Sequence, residues 1–407
     1  MALLAPFRAL RPSPEAAPRV AAVPYDVVSA EEAAAIAGAN PLSFLRVSRA
    51  EIDLPGDTDP YSDAVYAKAV ENFNALKRNA PLVVEESPSL YIYRLRMGGH
   101  EQTGVAGCYA VDDYDRDVIR KHERTRREKE DDRTRHILQL RAQTGPVFLT
   151  YKATSRVDAV VDRTTRTKPP LFDFAADDGV QHTIWRVEVR DEHDLIAAFD
   201  RIPHLYIADG HHRAASAARA REQLRGASGT PGEWDIFLAV AFPDNQMQIL
   251  PYNRVVKDLG SYSPESLLDA LRDRFTLAEG GGAEPKERGQ VGMFLGGRWY
   301  TIVLGDAPDG TAAADRLDVQ RLQDTILTPL LGIGDVRSDK RIDFVGGARG
   351  TAALEQAVTS GRAAVAFSMH PVSVHDLMTI ADAGGIMPPK STWFEPKLRD
   401  GLLSHVI

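Results

Sequence analysis

The sequence predicts an α+β fold of mixed, largely antiparallel sheets with flanking helices. Strand-like apolar segments occur in pairs with turn residues between them, as at Gly98-Gly99 and Gly296-Gly297. Short turns of this kind join antiparallel neighbours, whereas parallel strands need long crossovers. Because the strands come in pairs joined by turns, a doubly wound parallel sheet is not expected. The 407 residues are enough for two or more domains.

Two helices are predicted before residue 80. Ser29, with Glu32 three residues later, forms a capping-box pattern that begins the first. Apolar and aromatic residues recur at helical spacing over 61–77, which predicts an amphipathic helix. Between these helices, residues 40–47 are predicted to turn into a strand.

Strands predominate between residues 90 and 260. Segments 90–97 and 103–114 are predicted to form a hairpin across the glycine pair at 98–99. A second hairpin is expected to join 234–242 to 247–257 through the turn signal Pro243-Asp244-Asn245. The other elements predicted here are strands 145–151, 182–189 and 205–209 and a helix at 191–200.

After Gly260 the elements become shorter and richer in glycine. We predict a core domain over 1–260 and a smaller α+β domain over 261–407, whose tail at 386–397 is expected to return to the core domain. The elements predicted in the second domain are helices 264–275, 319–331 and 350–359, a hairpin over 291–304, and strands 342–345 and 363–368.

Composition excludes several classes of protein. The formal net charge of −8 argues against a general nucleic-acid surface. The single cysteine, Cys108, excludes an internal disulfide and a cysteine-based zinc cluster. No run of about 18 apolar residues occurs, so no membrane span is expected. The first eight residues are too short for a secretory signal, so we expect a cytoplasmic protein. The oligomeric state is left open, a homo-oligomer included.

One stretch carries the clearest chemical signal. A short apolar run ends at Asp209 and Gly210, and an alanine-rich helix begins with His211, His212 and Arg213. The amide groups and dipole at a helix start attract anions, phosphate above all. The aspartate could cap the helix or hold a metal ion, and the alternative is an ordinary buried turn with a capped helix. The two adjacent histidines point apart on a helix, so they do not share one metal.

Residues 120–136 form the densest charge run, with eight Lys or Arg and five Asp or Glu. Two interpretations remain open. The run is either a solvated helix with ion pairs four residues apart, or a polyanion clamp held beside the predicted strand at 145–151.

The C-terminal tail contains a near match to a phosphate-binding loop. Gly384 is followed at the right spacing by Lys390 and Ser391, but Pro389 replaces the last glycine and removes an N–H donor. We therefore reject the formal motif. The side chains of Lys390, Ser391 and Thr392 could still donate to a phosphate.

The remaining chemistry fits phosphoryl transfer. The chain lacks the Gly-x-Ser-x-Gly elbow and the His-Glu-x-x-His helix, and its Gly332-x-Gly334 lacks the third glycine of a dinucleotide site. Phosphoryl transfer needs cations and helix amides for phosphates, an acid for Mg²⁺ and another acid for the hydroxyl proton. The candidate acids are Asp26, Glu123, Asp209, Asp335 and Asp339.

Four segments together resemble the bacterial and archaeal family catalogued as domain of unknown function one thousand and fifteen, and the likeness runs nearly end to end. They are Lys121-His122-Glu123-Arg124-Thr125, the segment 128–134, Asp209-Gly210-His211-His212-Arg213 and the segment 388–397.

The Asp-Gly-His-His-Arg element also resembles the nucleotide-binding box of the ParB/sulfiredoxin-like superfamily, which implies a core of that fold. That superfamily includes free-serine kinases, which make O-phosphoserine from serine and a nucleotide. The resemblance implies that Asp209 acts near Mg²⁺ and that Gly210 to Arg213 hold nucleotide phosphates. It also implies an upstream glutamate as general base, for which Glu123 is the candidate.

We therefore expect residues 1–260 to be a nucleotide-binding, catalytic core with Mg²⁺ as cofactor and ATP or ADP as phosphate donor. The acceptor is a small metabolite hydroxyl, with free L-serine as the first candidate. The alternative is a ParB-like switch that binds or hydrolyses a nucleotide without transfer. A sulfiredoxin-like repair enzyme would need a reactive cysteine, and the apolar surroundings of Cys108 count against it. The phosphate-binding candidates are Lys121, His122, Arg124, Gly210, His211, His212, Arg213, Lys390, Ser391 and Thr392; Glu123 and Asp209 are the catalytic candidates.

Overall fold

The chain folds into two compact units. The computed structural model describes residues 3–80, 82–226 and 229–407. Unit 1 comprises Met1–Met247 together with Pro396–Ile407, and unit 2 comprises Gln248–Glu395. The division into domains at residue 260 stays a prediction.

The strands, in chain order, are β1 (Leu4–Ala5), β2 (Ala9–Arg11), β3 (Val83–Val84), β4 (Tyr91–Met97), β5 (His100–Ala110), β6 (Ile119–Arg120), β7 (Ala142–Gln143), β8 (Val147–Tyr151), β9 (Phe172–Ala175), β10 (Gln181–Arg186), β11 (Leu205–Asp209), β12 (Ile236–Pro243), β13 (Gln248–Leu250), β14 (Tyr252–Val256), β15 (Thr276–Glu279), β16 (Gln290–Leu295), β17 (Arg298–Val303), β18 (Ile342–Gly346), β19 (Val365–Met369), β20 (Trp393–Glu395) and β21 (Ser404–Val406). The α-helices are α1 (Ala17–Val20), α2 (Ala30–Ala37), α3 (Leu45–Ser48), α4 (Asp63–Asn79), α5 (Val111–Asp115), α6 (Arg127–Leu140), α7 (Ser155–Thr167), α8 (Val189–Phe199), α9 (His211–Arg225), α10 (Pro264–Arg272), α11 (Asp318–Leu322), α12 (Ala352–Thr359) and α13 (Val374–Asp382).

A large sheet forms the centre of unit 1. Its strand order is β6-β11-β8-β12-β5-β4-β10-β9, and β1 pairs with β5 beside that path. The pairs β11–β6 and β12–β8 are parallel, whereas the other pairs are antiparallel. The predicted hairpin is present as β4–β5, and Met97 faces His100 across its turn. The predicted α+β class with largely antiparallel sheets is confirmed.

The core of unit 1 holds the end of β11 in place. Leu205 and Ile207 of β11 are fully buried and belong to one apolar cluster with Ala214 and Ala217 of α9. Alanine side chains let a helix pack closely on a sheet, and close packing resists displacement. The turn between β11 and α9 is therefore held by packing on both sides.

A second, smaller sheet in unit 1 joins the two ends of the chain. Its strand order is β3-β2-β21-β7, so the last strand of the chain lies between two others. His405 pairs with Ala9 on one side and with Gln143 on the other. The C-terminal residues are an internal part of this sheet.

Of the elements predicted before residue 80, the two helices are present and the strand is not. The Ser29 side chain accepts from the Glu32 amide at 3.2 Å and Glu32 accepts from the Ser29 amide at 2.9 Å, which confirms the capping box of α2. The predicted helix over 61–77 is confirmed as α4. The predicted strand within 40–47 is wrong, because α3 forms there. Arg46 explains this, since its guanidinium donates to the carbonyls of Asn40 at 3.1 Å and Gly38 at 2.7 Å and holds a compact turn.

The predicted hairpin between 234–242 and 247–257 is wrong. β12 pairs with β5 on one edge and β8 on the other, so neither edge is available to the next strand. The following segment is split at Pro251, which has no N–H to donate. Its second part, β14, pairs with β18 and β19 in unit 2. Residues 111–115, expected in part to extend β5, form the helix α5 instead.

Unit 2 is built on short strands that pair antiparallel. Its main sheet has the order β15-β17-β16-β19-β14-β18, and β13 pairs with β20 separately. The hairpin predicted over 291–304 is confirmed as β16–β17. Leu354 of α12 packs with Phe294 and Ala366 in a small apolar cluster. Within the described residues of the whole chain, no helix has the length and apolar character needed to cross a bilayer.

Candidate active site

The turn from β11 to α9 leaves the start of a helix open. Gly210 occupies the N-cap position with φ 93° and ψ 31°, and no side chain caps α9. Asp209 is therefore not a helix cap. The first amide groups of a helix have no partner within it, so those of residues 211–213 are available to an anion. A Cβ at Gly210 would lie 2.9 Å from two atoms of the Arg213 guanidinium, so this turn requires glycine.

Asp209 is an ionised carboxylate at this turn. Its Oδ2 lies 3.2 Å from Nζ of Lys397 and 3.5 Å from Nη2 of Arg213. Burial by itself raises the pKa of Asp209, but the charges of Lys397 and Arg213 outweigh it and hold that pKa below its usual value. Lys397 was not predicted from the sequence as a site residue. The signal that could have found it is its place in the tail segment 388–397 that carries the family resemblance.

Arg213 turns inward from the start of α9. The residue is 8% exposed, and its Nη1 donates to the carbonyl of Pro146. Its Nη2 lies 3.9 Å from Oδ2 of Asp26, and neither Nε nor Nη2 has a hydrogen-bond partner within the described residues. The guanidinium thus neutralises two carboxylates and ties α9 to the chain before β8. Its role in phosphate binding stays a prediction.

The two adjacent histidines fasten the loop 121–126 to α9. Nε2 of His211 accepts from the His122 amide at 3.4 Å, and Nε2 of His212 accepts from the Arg126 amide at 3.0 Å. Burial lowers the pKa of His211 and of His212, so both imidazoles are neutral. Because each ring accepts on Nε2, each carries its proton on Nδ1.

Glu123 lies beside the first residue of α9. Its Oε2 is 3.7 Å from Nδ1 of His211, and its side chain is 53% exposed. The Nδ1 proton of His211 therefore faces the Glu123 carboxylate. An accessible carboxylate oriented in this way can accept a proton from a bound hydroxyl.

The other predicted residues of this loop differ in their surroundings. His122 is buried with its ring 4.4 Å from that of His211, and burial lowers its pKa to about 4. The Lys121 ammonium lies 2.7 Å from Oδ1 of Asp117 and donates to the Tyr114 carbonyl at 2.9 Å. Arg124 is exposed. Phosphate binding by these three residues stays a prediction.

The charge run over 120–136 covers the end of β6, the loop 121–126 and most of α6. Its ion pairs join different elements. Glu130 and Asp131 pair with Arg219 of α9, and Arg135 pairs with Asp63 of α4. The buried face of α6, which includes His136, packs inward. The run is therefore anchored at many points, and its use as a polyanion clamp stays a prediction.

Lys390, Ser391 and Thr392 belong to unit 2. The Lys390 ammonium lies 5.2 Å from the centre of the Tyr252 ring, and the Lys390 carbonyl accepts from Arg254 at 3.0 Å. The Ser391 hydroxyl donates to the Pro388 carbonyl at 2.5 Å. A role of these three residues at a phosphate stays a prediction.

The carboxylates of the candidate site could hold Mg²⁺ only if a phosphate supplied further ligands. In the parts of the chain that the structure describes, no group of three or more acidic, histidine or cysteine side chains is arranged to hold a metal ion. Protein-bound Mg²⁺ often uses one or two carboxylates and takes its other ligands from water and phosphate. Asp209 can supply one such oxygen. Asp339, in unit 2, is instead occupied by the amides of Gly334 at 3.0 Å and Arg341 at 2.9 Å.

Comparison with solved structures finds distant likenesses. A free serine kinase mutant in complex with AMP is 12% identical with a TM-score of 0.38, over 73% of this chain and 92% of that one. SbnI with a C-terminal truncation from Staphylococcus aureus is 13% identical with a TM-score of 0.38, over 72% and 85%. A conserved hypothetical protein from Pyrococcus furiosus is 13% identical with a TM-score of 0.36, over 73% and 94%. At these scores no residue role follows from the likeness.

No curated protein matches the chain significantly. A family model, in contrast, matches residues 4–320, which is most of the sequence and includes β11, the Asp209 turn and the loop 121–126. The resemblance of the sequence to this family is therefore confirmed over residues 4–320. The chain belongs to the family described as "Protein of unknown function (DUF1015)".

Proposed function

We propose that this protein is a Mg²⁺-dependent phosphotransferase that moves a phosphoryl group from ATP or ADP to the hydroxyl of a small metabolite, with free L-serine as the first acceptor to test. One observation carries the proposal. The ionised carboxylate of Asp209 directly precedes an uncapped helix start and has the Lys397 ammonium 3.2 Å away. Helix amides, a cation and an acid are the groups that phosphoryl transfer requires.

In this proposal the start of α9 binds the phosphates of the donor. The amides of residues 211–213 donate to the phosphate oxygens. Lys397 moves its charge from Asp209 towards the phosphate when the nucleotide binds. Bound Mg²⁺ would neutralise charge on the transferred phosphoryl group, with Asp209 as its protein ligand.

Glu123 is the general base of the proposed reaction. The acceptor oxygen forms a bond to phosphorus, and the bond from phosphorus to the bridging oxygen of the donor breaks, so that its electron pair leaves with the nucleotide. The hydroxyl proton passes to Glu123. Neutral His211, whose Nδ1 lies 3.7 Å from Oε2 of Glu123, orients the carboxylate for this step.

The direct test incubates the full chain with Mg²⁺, L-serine and either ATP or ADP, and detects O-phosphoserine by ³¹P NMR. Replacing Asp209 by Asn should lower kcat by about a hundredfold or more, since a neutral amide binds Mg²⁺ more weakly than a carboxylate does. Asp194→Asn is the matched control, because Asp194 lies exposed on α8 and pairs there with Arg163. Absence of phosphoserine with both donors would reject the serine assignment, and unchanged turnover in Asp209→Asn would reject the site.

The exposure of Glu123 favours one rival function. A carboxylate that is 53% exposed can activate water as well as a metabolite hydroxyl. The rival is a ParB-like switch that binds or hydrolyses a nucleotide without transfer. Nucleotide hydrolysis that stays constant when amino acids and polyols are added, with no phosphorylated product, would favour the switch over the kinase.

A further inference from the structure

Unit 1 contains a large cleft that the proposed phosphoryl transfer does not use. The cleft has a volume of about 530 Å³ and lies among α2, α3, α4 and α6, so we call it the Arg133 cleft after its central cation. Ligand sites in proteins commonly measure roughly 300–1,000 Å³. Its polar lining includes Arg49, Tyr61, Tyr66, Lys129, Asp132 and Arg133.

Arg133 is held rigidly in the wall of this cleft. Its Nε donates to Oδ2 of Asp132 at 2.8 Å, its Nη1 donates to the Ser48 carbonyl at 3.3 Å, and its Cζ lies 4.2 Å from the centre of the Tyr25 ring. The side chain is 13% exposed. Nη2 has no hydrogen-bond partner in the described ranges. A guanidinium that is already fixed and still has unused N–H donors can bind a carboxylate at little cost in side-chain entropy.

The acids of the cleft are already satisfied, which argues against a cationic ligand. Asp132 accepts from Arg133 and from the Tyr66 hydroxyl at 2.8 Å. Glu51 lies 3.0 Å from Arg49, and Glu31 accepts from the Ser29 hydroxyl at 2.9 Å. Lys129 donates one hydrogen to the Tyr61 hydroxyl at 2.8 Å, and an ammonium has two more. Arg133 and Lys129 therefore retain hydrogen-bond donors for a ligand.

Part of the cleft wall is apolar. Its aliphatic lining residues are Ala30, Ala34, Val47, Ala50, Ile52, Leu54, Val65 and Ala69. Contact with this wall would remove the hydrocarbon part of a ligand from water, at roughly 25 cal/mol per Å² buried. An ionic end and an apolar body are thus both accommodated.

We propose that the Arg133 cleft binds a small-molecule carboxylate with an apolar or aromatic body, its carboxylate on Arg133 and its body against the aliphatic wall. The ligand lies close to the Asp209 site. Tyr25, which lies under Arg133, directly precedes Asp26, whose Oδ2 is 3.9 Å from Nη2 of Arg213. This proposal concerns binding alone and does not depend on phosphoryl transfer.

The test uses three probes of one shape with the full chain: 3-phenylpropionate, its neutral amide 3-phenylpropanamide, and the cation 3-phenylpropylamine. Isothermal titration should show saturable binding of the acid, at least tenfold weaker binding of the amide and none of the amine. Absence of saturable binding by the acid, or equal affinities of acid and amide, would overturn the proposal.

Two variants locate the probe. Arg133→Gln should weaken binding of the acid at least tenfold. Because Arg133 is buried beside Asp132 and its loss could unfold the chain, Ala34→Phe is the second variant, since Ala34 is an exposed residue on the cleft wall. It should block the acid, whereas Ala35→Phe, also exposed on α2 but outside the lining, should bind normally. Normal binding by Ala34→Phe would contradict the assignment to this cleft.

Discussion

At the scale of single residues, charge neutralisation inside unit 1 organises the candidate site. The Arg213 guanidinium lies between Asp26 and Asp209, at 3.9 and 3.5 Å from their carboxylate oxygens. Asp400 is 2% exposed, and its Oδ1 has no hydrogen-bond partner among the described residues. Burial raises the pKa of Asp400 to about 7, even though the charge of Arg213 lowers it. A buried carboxylate with an unsatisfied oxygen costs stability when it ionises.

Asp400→Asn should therefore stabilise the protein increasingly as the pH rises. The folded pKa of about 7 lies above the ordinary value of 3.8, so the stability contributed by protonated Asp400 is present at low pH and is lost as the pH rises from about 4 to 7. Asn cannot ionise. The free energy of unfolding of the variant should therefore rise relative to that of wild type by about 1.4 kcal/mol per pH unit in this window. Urea unfolding at pH 5, 6 and 7 measures the difference. Asp57→Asn, at an exposed residue, is the control, and its free energy of unfolding should differ from that of wild type by an amount that does not change with pH. The same behaviour in Asp400→Asn would contradict this account.

Gly210→Ala should disrupt the start of α9. An L-residue in the left-handed region costs about 1–2 kcal/mol, and here the new Cβ would also lie 2.9 Å from the Arg213 guanidinium. Gly179→Ala is the control, because Gly179 has φ +79° with no atom within 4 Å of its Cβ position. The urea midpoint should fall further for Gly210→Ala than for Gly179→Ala. Equal shifts in the two variants would mean that the contact with Arg213 does not matter.

At the scale of elements, the loop 121–126 is positioned by α9. The rings of His211 and His212 accept backbone hydrogen bonds from the two ends of this loop, at His122 and Arg126. α6, which follows the loop, is bound to α9 again through Arg219. The loop carries Glu123, so the two histidines set the position of the candidate base relative to the helix start.

His212→Ala should release the C-terminal end of the loop. The amide of Arg126 loses its acceptor, so we expect hydrogen exchange of peptides covering 121–126 to accelerate by about tenfold or more, which corresponds to about 1.4 kcal/mol. His193→Ala is the control, since His193 is exposed on α8. Exchange in the loop that matches wild type would show that His212 does not hold it.

At the scale of the whole molecule, the end of the chain completes unit 1. β21 pairs with β2 on one side and β7 on the other, so it links strands from the start and the middle of the sequence. The same terminal segment supplies Lys397 to Asp209 and Asp400 to the surroundings of Arg213. The family model ends at residue 320, before all of these contacts.

Deletion of residues 403–407 should weaken this sheet without removing Lys397. Strands β2 and β7 lose their common partner and the buried side chains of Leu403 and His405. Amide exchange in β2 and β7 should accelerate at least about tenfold, while β16 and β19 in unit 2 keep their protection. Val406→Thr, a substitution at a side chain 38% exposed, leaves the backbone pairing intact and serves as the control. Unchanged exchange in β2 and β7 would argue against a structural role for β21.

Local signals predicted much of the secondary structure. The helical periodicity of α4, the capping box of α2 and the glycine turns of β4–β5 and β16–β17 depend on residues close in sequence, and all were confirmed. Two errors had different causes. Residues 45–48 form a helix where Arg46 donates to the nearby carbonyls of Asn40 and Gly38, which the apolar pattern did not reveal. β12 could not form a hairpin because the distant strands β5 and β8 occupy both its edges.

The sequence by itself determined that a strand, an Asp-Gly turn and a helix with two histidines follow one another at 205–218, because apolar patterning, glycine and alanine act over a few residues. Only the tertiary structure decided what these side chains contact. Lys397 reaches Asp209 across 188 positions of the chain, and the loop amides reach the histidine rings across 86 and 89. Such partners are brought together by the packing of the sheet and its helices. This packing cannot be predicted from the spacing of residues within the motif.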